Sequence, residues 1–123
     1  MVAEFAGRRA LLVEGDWGRL LIDCGVGDSL DPRKQEIFGV DRTRNLSHTL
    51  AEAGVAPDEI DILLPTHLHF DHVGGVFHTV GAERRPVFPR ARHLVRRGEW
   101  EDARTPHARA RGSYAAGDIA AFA

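Results

Sequence analysis

Three histidines and one aspartate crowd into six consecutive positions near the middle of the chain: His67, His69, Asp71 and His72. Neutral imidazole nitrogens and carboxylate oxygens are ligands that zinc prefers in proteins, at about 2.0–2.2 Å. His67 and His69 are two residues apart, and side chains at that spacing in an extended segment point to the same side. The spacing therefore predicts that these two histidines bind one metal ion.

Asp71 and His72 are adjacent, so in an extended segment their side chains diverge and could turn towards a second ion. Two metals about 3.5–4 Å apart can stabilise both the attacking and the leaving oxygen of a hydrolysed bond. A bound metal also lowers the pKa of its water towards about 7, which supplies a metal-bound hydroxide at neutral pH. The cluster favours metal-dependent hydrolysis over ordinary loop histidines, and without a helical H-E-x-x-H pattern it does not indicate a zincin.

Apolar segments before the cluster predict the elements that position it. Residues 10–14 and 19–23 read as two strands of a β-hairpin joined by a glycine-flanked turn. Both are nearly continuous apolar runs, so we expect both to be covered on two faces. Residues 60–64 read as a short buried strand that ends at Pro65, which places the cluster in the loop after it. Gly74 and Gly75 then allow sharp turns.

Weaker patterns in the rest of the chain predict a single domain of mixed α/β class, layered (α+β), without repeats or linkers. Residues 28–42 predict a loop or short helical turns. Residues 44–53 predict a helix with Asp41 or Thr43 as N-cap and Gly54 just beyond its end. The remaining predictions are strands at 87–88 and 93–95 and helical segments at 99–103 and 107–115.

Composition narrows the class of protein. The 123 residues are 43% hydrophobic and 28% charged with a net charge of −2, which fits a soluble globular domain. Nucleic acid is not expected as a partner, since the arginines late in the chain alternate with acidic residues. A membrane is not expected either, since no apolar run approaches the roughly 18 residues that a membrane-spanning helix needs. The single Cys24 cannot form an internal disulfide and reads as a small buried residue. A cytoplasmic location is expected.

Residues 66–72 followed by Gly74-Gly75 resemble the signature of the metallo-β-lactamase-fold hydrolase superfamily. The wider match spans nearly the whole chain and is similar to the lactonase and methyl-parathion-hydrolase-like branch. It includes residues 21–28, residues 60–64, Phe88-Pro89, Glu99-Trp100 and Tyr114.

The resemblance implies an αββα sandwich with a dinuclear site at one edge. It implies that His67 and His69 bind the first metal, that Asp71 and His72 bind the second, and that Asp23 supports the site by orienting a ligand histidine. Asp71 is also the expected catalytic residue. Two zinc ions are implied, with iron or manganese as alternatives, acting on a small-molecule ester, lactone or phosphoester.

The chain departs from the family in its later ligands. His48, His78, His93 and His107 lack the glycine-flanked, strand-end context of those ligands, and Asp118 is not taken as the bridging aspartate. We expect residues 1–123 to be one partial domain, the first half of the sandwich, from a truncated product or fragment. An open apolar face would cost on the order of 10 kcal/mol, which predicts that the chain is unstable, self-associates or is completed by another chain. An inactive, degenerate metal-binding half-domain is the alternative function.

Overall fold

A computed structural model describes residues 2–5, 8–43 and 45–123 of the chain. The strands in these residues are β1 (Val2–Phe5), β2 (Arg8–Gly15), β3 (Gly18–Ile22), β4 (Ile62–Leu64), β5 (Phe77–Val80), β6 (Glu83–Pro86) and β7 (Arg92–His93). The helices are α1 (Pro32–Ile37), α2 (Leu46–Glu52), α3 (Phe70–Val73), α4 (Arg97–Arg104) and α5 (Ala116–Phe122). The expected mixed α/β class is confirmed.

The larger sheet has five strands in the order β1-β2-β3-β4-β7. β1, β2 and β3 are antiparallel neighbours, whereas β3, β4 and β7 run parallel. The predicted hairpin is confirmed: β2 and β3 pair from Leu11 with Ile22 to Gly15 with Gly18. The parallel pairing of Ile22 with Leu64 brings the carboxyl ends of β3 and β4 to the same edge of the sheet.

Burial along β2 alternates, so the expectation that both hairpin strands are covered on two faces is wrong for this strand. Ala10 and Leu12 are buried, but Leu11 between them is 38% exposed. Side chains on successive strand residues point to opposite faces, and in β2 the core covers one face. On the central strands Leu21 and Leu63 are fully buried, so the core lies beneath the strands that lead to the histidine cluster.

Helix α2 has a different N-cap from the predicted one. Asn45 is extended, and its side-chain oxygen accepts the backbone N–H of His48 at 3.0 Å. Asp41 instead accepts the N–H of Thr43 at 2.8 Å in a local turn. The predicted start of the helix at residue 44 lies outside the described residues. Gly54 follows the helix with a φ of +74°, as predicted from the left-handed conformation that glycine tolerates.

The second half of the chain differs most from prediction. Strands β5 and β6 form a separate antiparallel hairpin that the sequence reading missed, and the predicted strand at 87–88 is a bend. Residues 107–115 hold turns and a short 3-10 segment (Arg111–Ser113) instead of a helix, because they lack a stripe of large apolar side chains. The last helix is α5, which buries Ile119. The described helices include none with the length and apolarity needed to cross a membrane.

Candidate metal centre

The histidine cluster lies where the chain leaves the central strand β4. Residues 65–69 form the predicted irregular loop, and His69 is extended with φ −67° and ψ 150°. The next four residues form helix α3 rather than a continuing loop. Asp71 and His72 therefore project from the first turn of a helix, while His67 and His69 project from the loop before it.

Three of the four predicted ligands form one compact donor group. His67, His69 and Asp71 each offer one ligand atom, and these atoms all lie within 4.8 Å of one another. Two donors bound to one ion at about 2.1 Å are at most about 4.2 Å apart, so small side-chain rotations bring this group onto a divalent ion. Two imidazoles and a carboxylate are also a donor set that zinc accepts. The residues present therefore fit a metal ion.

His72 borders the same group. Its ring centroid is 4.0 Å from that of His67, and its Nε2 atom is 3.5 Å from Oδ2 of Asp71. The rings of His67 and His69 are 4.5 Å apart, edge to face. Asp71 thus lies within reach of both the His67/His69 pair and His72, and all four side chains are partly buried.

Asp23 ties the cluster to the neighbouring strand. Its carboxylate, at the end of β3, accepts the Thr66 N–H at 2.8 Å and the Thr66 hydroxyl at 2.9 and 3.0 Å. It also lies 3.0 Å from Nδ1 of His72. Within the described residues Asp23 is the sole non-glycine residue with a positive φ, at 60°. A left-handed aspartate costs about 1 kcal/mol or more, and here that conformation directs the carboxylate at two neighbours.

These contacts assign the protons on two imidazole rings. An ionised carboxylate only accepts hydrogen bonds, so Nδ1 of His72 carries the hydrogen and Nε2 keeps its lone pair. The Thr66 hydroxyl donates to Asp23 and faces Nδ1 of His67 at 3.1 Å as an acceptor. Both rings are thereby held by Nδ1 with Nε2 unprotonated, which is the arrangement seen when a second group orients a metal ligand.

The electrostatic surroundings keep His67 neutral. Burial, reinforced by the neighbouring His72 and His69, lowers the pKa of His67 below its ordinary value of 6.5, against the opposing effect of Asp23 and Glu99. A neutral imidazole has the lone pair that binds a metal. The cluster therefore presents His67 in its binding form at neutral pH.

Gly74 and Gly75 serve close packing instead of the predicted sharp turn. Gly74 has an ordinary helical φ of −56°. A Cβ atom on Gly75 would overlap the Cys24 carbonyl oxygen, and one on Gly27 would overlap that of Gly74. The segment after β3 thus lies directly against α3 and the segment after it. Hydrogen bonds join them from the Cys24 N–H to the His72 backbone carbonyl (2.7 Å) and from the Gly75 N–H to the Gly25 carbonyl (3.1 Å).

Glu99 and Tyr114 also contact the cluster, although no role at the site was predicted for either of them. Glu99 accepts the N–H of Leu68, between the two loop histidines, at 2.7 Å. Tyr114 places its ring edge to face with His69 at 4.7 Å and donates its hydroxyl to Glu99 at 3.1 Å. Neither residue has a local sequence signal for this contact.

The remaining histidines and Asp118 lie in other surroundings. His48, His78 and His107 are exposed, and His93 packs edge to face against Phe77 and Phe122. The fully buried Asp118 pairs with Arg84 and accepts the Ser29 hydroxyl. In the described residues none of them joins the donor group of the cluster.

Comparison with known proteins identifies the family of the chain. A family model described as the metallo-beta-lactamase superfamily matches residues 5–118. The chain belongs to the metallo-beta-lactamase superfamily, and the resemblance drawn from residues 66–75 is confirmed. It is 30% identical over 109 residues to a probable metallo-hydrolase of Mycobacterium bovis, covering 73% of this chain and 35% of that protein.

Solved structures show the same fold. A probable metal-dependent hydrolase from Staphylococcus aureus superposes with a TM-score of 0.80 and 31% identity, over 89% of this chain and 39% of that one. AidC, a dizinc quorum-quenching lactonase solved with a product, N-hexanoyl-L-homoserine, gives a TM-score of 0.63 and 27% identity over 80% and 30% of the two chains. The chain thus spans 30–39% of the length of these three proteins.

Proposed function

We propose that residues 67–72 supply metal ligands for a hydrolase that acts on an ester, lactone or phosphoester of a small molecule. The observation that carries the proposal is the donor group of His67, His69 and Asp71 in the loop after the central strand. The likeness to a dizinc lactonase supports zinc as the metal and a lactone as the first substrate to test.

The proposed division of ligands follows the contacts of Asp71. His67 and His69 hold the first ion, and His72 contributes to a second one together with Asp71, whose Oδ2 atom lies 3.5 Å from His72 Nε2. A divalent metal bound there acts as a Lewis acid and lowers the pKa of water towards neutrality. We assign the catalytic role to Asp71, because its carboxylate lies within reach of both the His67/His69 pair and His72.

The surrounding residues hold these ligands in place. Asp23 and Thr66 fix the Nδ1 protons of His72 and His67, so that each ring presents Nε2. Leu68 is fully buried between the two loop histidines and anchors the loop in the core. This preorganisation matters because side chains already held in the binding geometry lose less entropy when a metal binds.

One observation favours a second candidate, a module that binds metal without catalysis. Every donor of the group comes from five consecutive residues, while the exposed histidines of the described chain lie elsewhere. Three protein ligands with one open position are enough for zinc binding. A loop of this kind can therefore retain metal affinity whether or not the chain turns over a substrate.

Zinc titration and turnover together distinguish the two candidates. The first candidate predicts zinc-stimulated hydrolysis of an acyl-homoserine lactone or an aryl phosphoester, abolished by His69→Ala and by Asp71→Ala. His48→Ala, which removes an exposed histidine from helix α2, is the matched control and retains full activity. Zinc binding without turnover of any ester, lactone or phosphoester supports the second candidate. Turnover that survives both ligand substitutions contradicts the proposed site.

A further inference from the structure

The peptide between the two loop histidines is held from both sides. The Leu68 side chain is fully buried in the core, while its N–H donates to Oε1 of Glu99 at 2.7 Å. Residues 65–69 belong to no helix or strand, so this N–H has no partner from regular structure. A side chain 31 positions further along the chain supplies the acceptor, and with it an anchor point midway between His67 and His69.

The same carboxylate oxygen also receives the hydroxyl of Tyr114, at 3.1 Å. The Tyr114 ring stands edge to face against His69, with the ring centres 4.7 Å apart. Glu99 therefore joins three separate segments, namely the histidine loop, the first turn of α4 and the segment before α5. Hydrogen bonds to a carboxylate are shorter and stronger than those between neutral groups, particularly where they are partly buried.

Glu99 is the acidic residue nearest the N-terminal end of its helix. It lies in the first turn of α4, where the unpaired backbone N–H groups stabilise a negative charge. Its charge also acts on the His67 imidazole. By contrast, Glu101 and Asp102 on the same helix are exposed, so α4 offers one carboxylate aimed at the loop and two in solvent.

We propose that Glu99, braced by Tyr114, is a positioning residue that sets the relative placement of His67 and His69 for one metal ion. This inference rests on the metal site of the proposed function and deepens it. Glu99 touches the backbone between the ligands and Tyr114 touches a ligand ring, so both act through the histidines and not on the metal.

Four variants test the role: Glu99→Ala, Glu99→Gln, Tyr114→Phe and, as matched control, Glu101→Gln. The zinc Kd of each is measured by competition with a chromophoric chelator, and Co²⁺ absorption spectra report the ligand geometry. Loss of a group that orients a ligand weakens metal affinity by roughly 10- to 100-fold, which is expected for Glu99→Ala. Glutamine keeps a neutral acceptor, so Glu99→Gln should recover part of that loss. Tyr114→Phe should weaken binding by less than Glu99→Ala, and the control should match the unaltered chain.

A readout that needs no metal accompanies these titrations. The Leu68 amide proton should move upfield and exchange faster in Glu99→Ala than in the unaltered chain, because its carboxylate partner is gone. If folded Glu99→Ala has a lower melting temperature but an unchanged zinc Kd, the role of Glu99 is purely structural and the proposal is wrong. If Glu99→Ala does not fold, Glu99→Gln decides: a Kd and a Co²⁺ spectrum equal to those of the unaltered chain overturn it. Failure of the unaltered chain to bind zinc overturns the proposed metal site itself, and this role with it.

Discussion

Replacement of Asp23 by asparagine tests how the site selects the binding form of His72. The carboxamide can still accept the Thr66 N–H through its oxygen, as Asp23 does at 2.8 Å. Its NH₂ group then faces Nδ1 of His72, where Asp23 places an acceptor at 3.0 Å. To keep a hydrogen bond, the imidazole must move its proton to Nε2, and that nitrogen then has no lone pair for a metal.

The expected loss of zinc affinity follows from the hydrogen bond between His72 Nδ1 and residue 23, which is either lost or must exchange its donor and acceptor. A hydrogen bond to a charged group contributes about 1.5–3 kcal/mol. At about 1.4 kcal/mol per tenfold change, zinc binding through His72 should weaken by roughly 10- to 150-fold. The fold itself should lose about 1–2 kcal/mol, because the Thr66 contact is kept and asparagine tolerates the φ of 60° at this position.

Zinc titration and ¹⁵N spectra of the histidine side chains measure the two effects separately. Asp61→Asn is the matched control, because the Asp61 carboxylate accepts the Arg19 N–H at 2.8 Å at the opposite end of the β3–β4 pair. It should lower stability by a similar amount while leaving the zinc Kd unchanged. An Asp23→Asn variant that keeps both the zinc affinity and the Nδ1–H form of His72 would refute the reasoning.

Two further predictions concern the packing behind the cluster. Gly27→Ala should lower the free energy of unfolding by about 3 kcal/mol or more, since its Cβ overlaps the Gly74 carbonyl oxygen. The control Gly98→Ala, in the open space around α4, should be neutral or slightly stabilising. Equal losses of stability for the two variants in urea unfolding would contradict the close approach of Gly27 to Gly74. Burial, then Asp23, raises the pKa of the Cys24 thiol well above its ordinary value of 9.0. The folded chain therefore keeps a proton that the unfolded chain loses, and its stability relative to Cys24→Ala falls as the pH rises above 9.0. If the free energies of unfolding of the two proteins change in parallel across pH 7–10, the folded state does not raise the pKa of the thiol, and the prediction is wrong.

The parts of the site that were predictable from the sequence are local in the chain. His67, His69, Asp71 and His72 lie within six residues, so their proximity needs only a turn after the strand. The apolar run ending at Pro65 was enough to place them at a strand end. The hairpin of β2 and β3 was equally local, because its strands pair across a two-residue turn.

The parts that escaped prediction depend on contacts between distant segments. The hydrogen bond from Leu68 to Glu99 spans 31 positions and leaves no periodic pattern. The role of Gly75 depends on the Cys24 backbone packed against it, so the sequence suggested a turn where the structure has a close approach. The helical segment predicted at residues 107–115 does not form, and helix α5 was missed, because the apolar contacts that define its buried face, such as that of Ile119, come from the tertiary fold.

Anomalous diffraction at the zinc absorption edge, from crystals of the zinc-loaded chain, tests the proposed metal centre most directly. The proposal predicts two anomalous peaks, one at about 2.0–2.2 Å from a nitrogen of both His67 and His69, and one at that distance from Asp71 and His72. In the same crystals of Asp71→Ala, the second peak should be weaker or absent. A fully occupied zinc held by other residues, with these four side chains left unliganded, would contradict it.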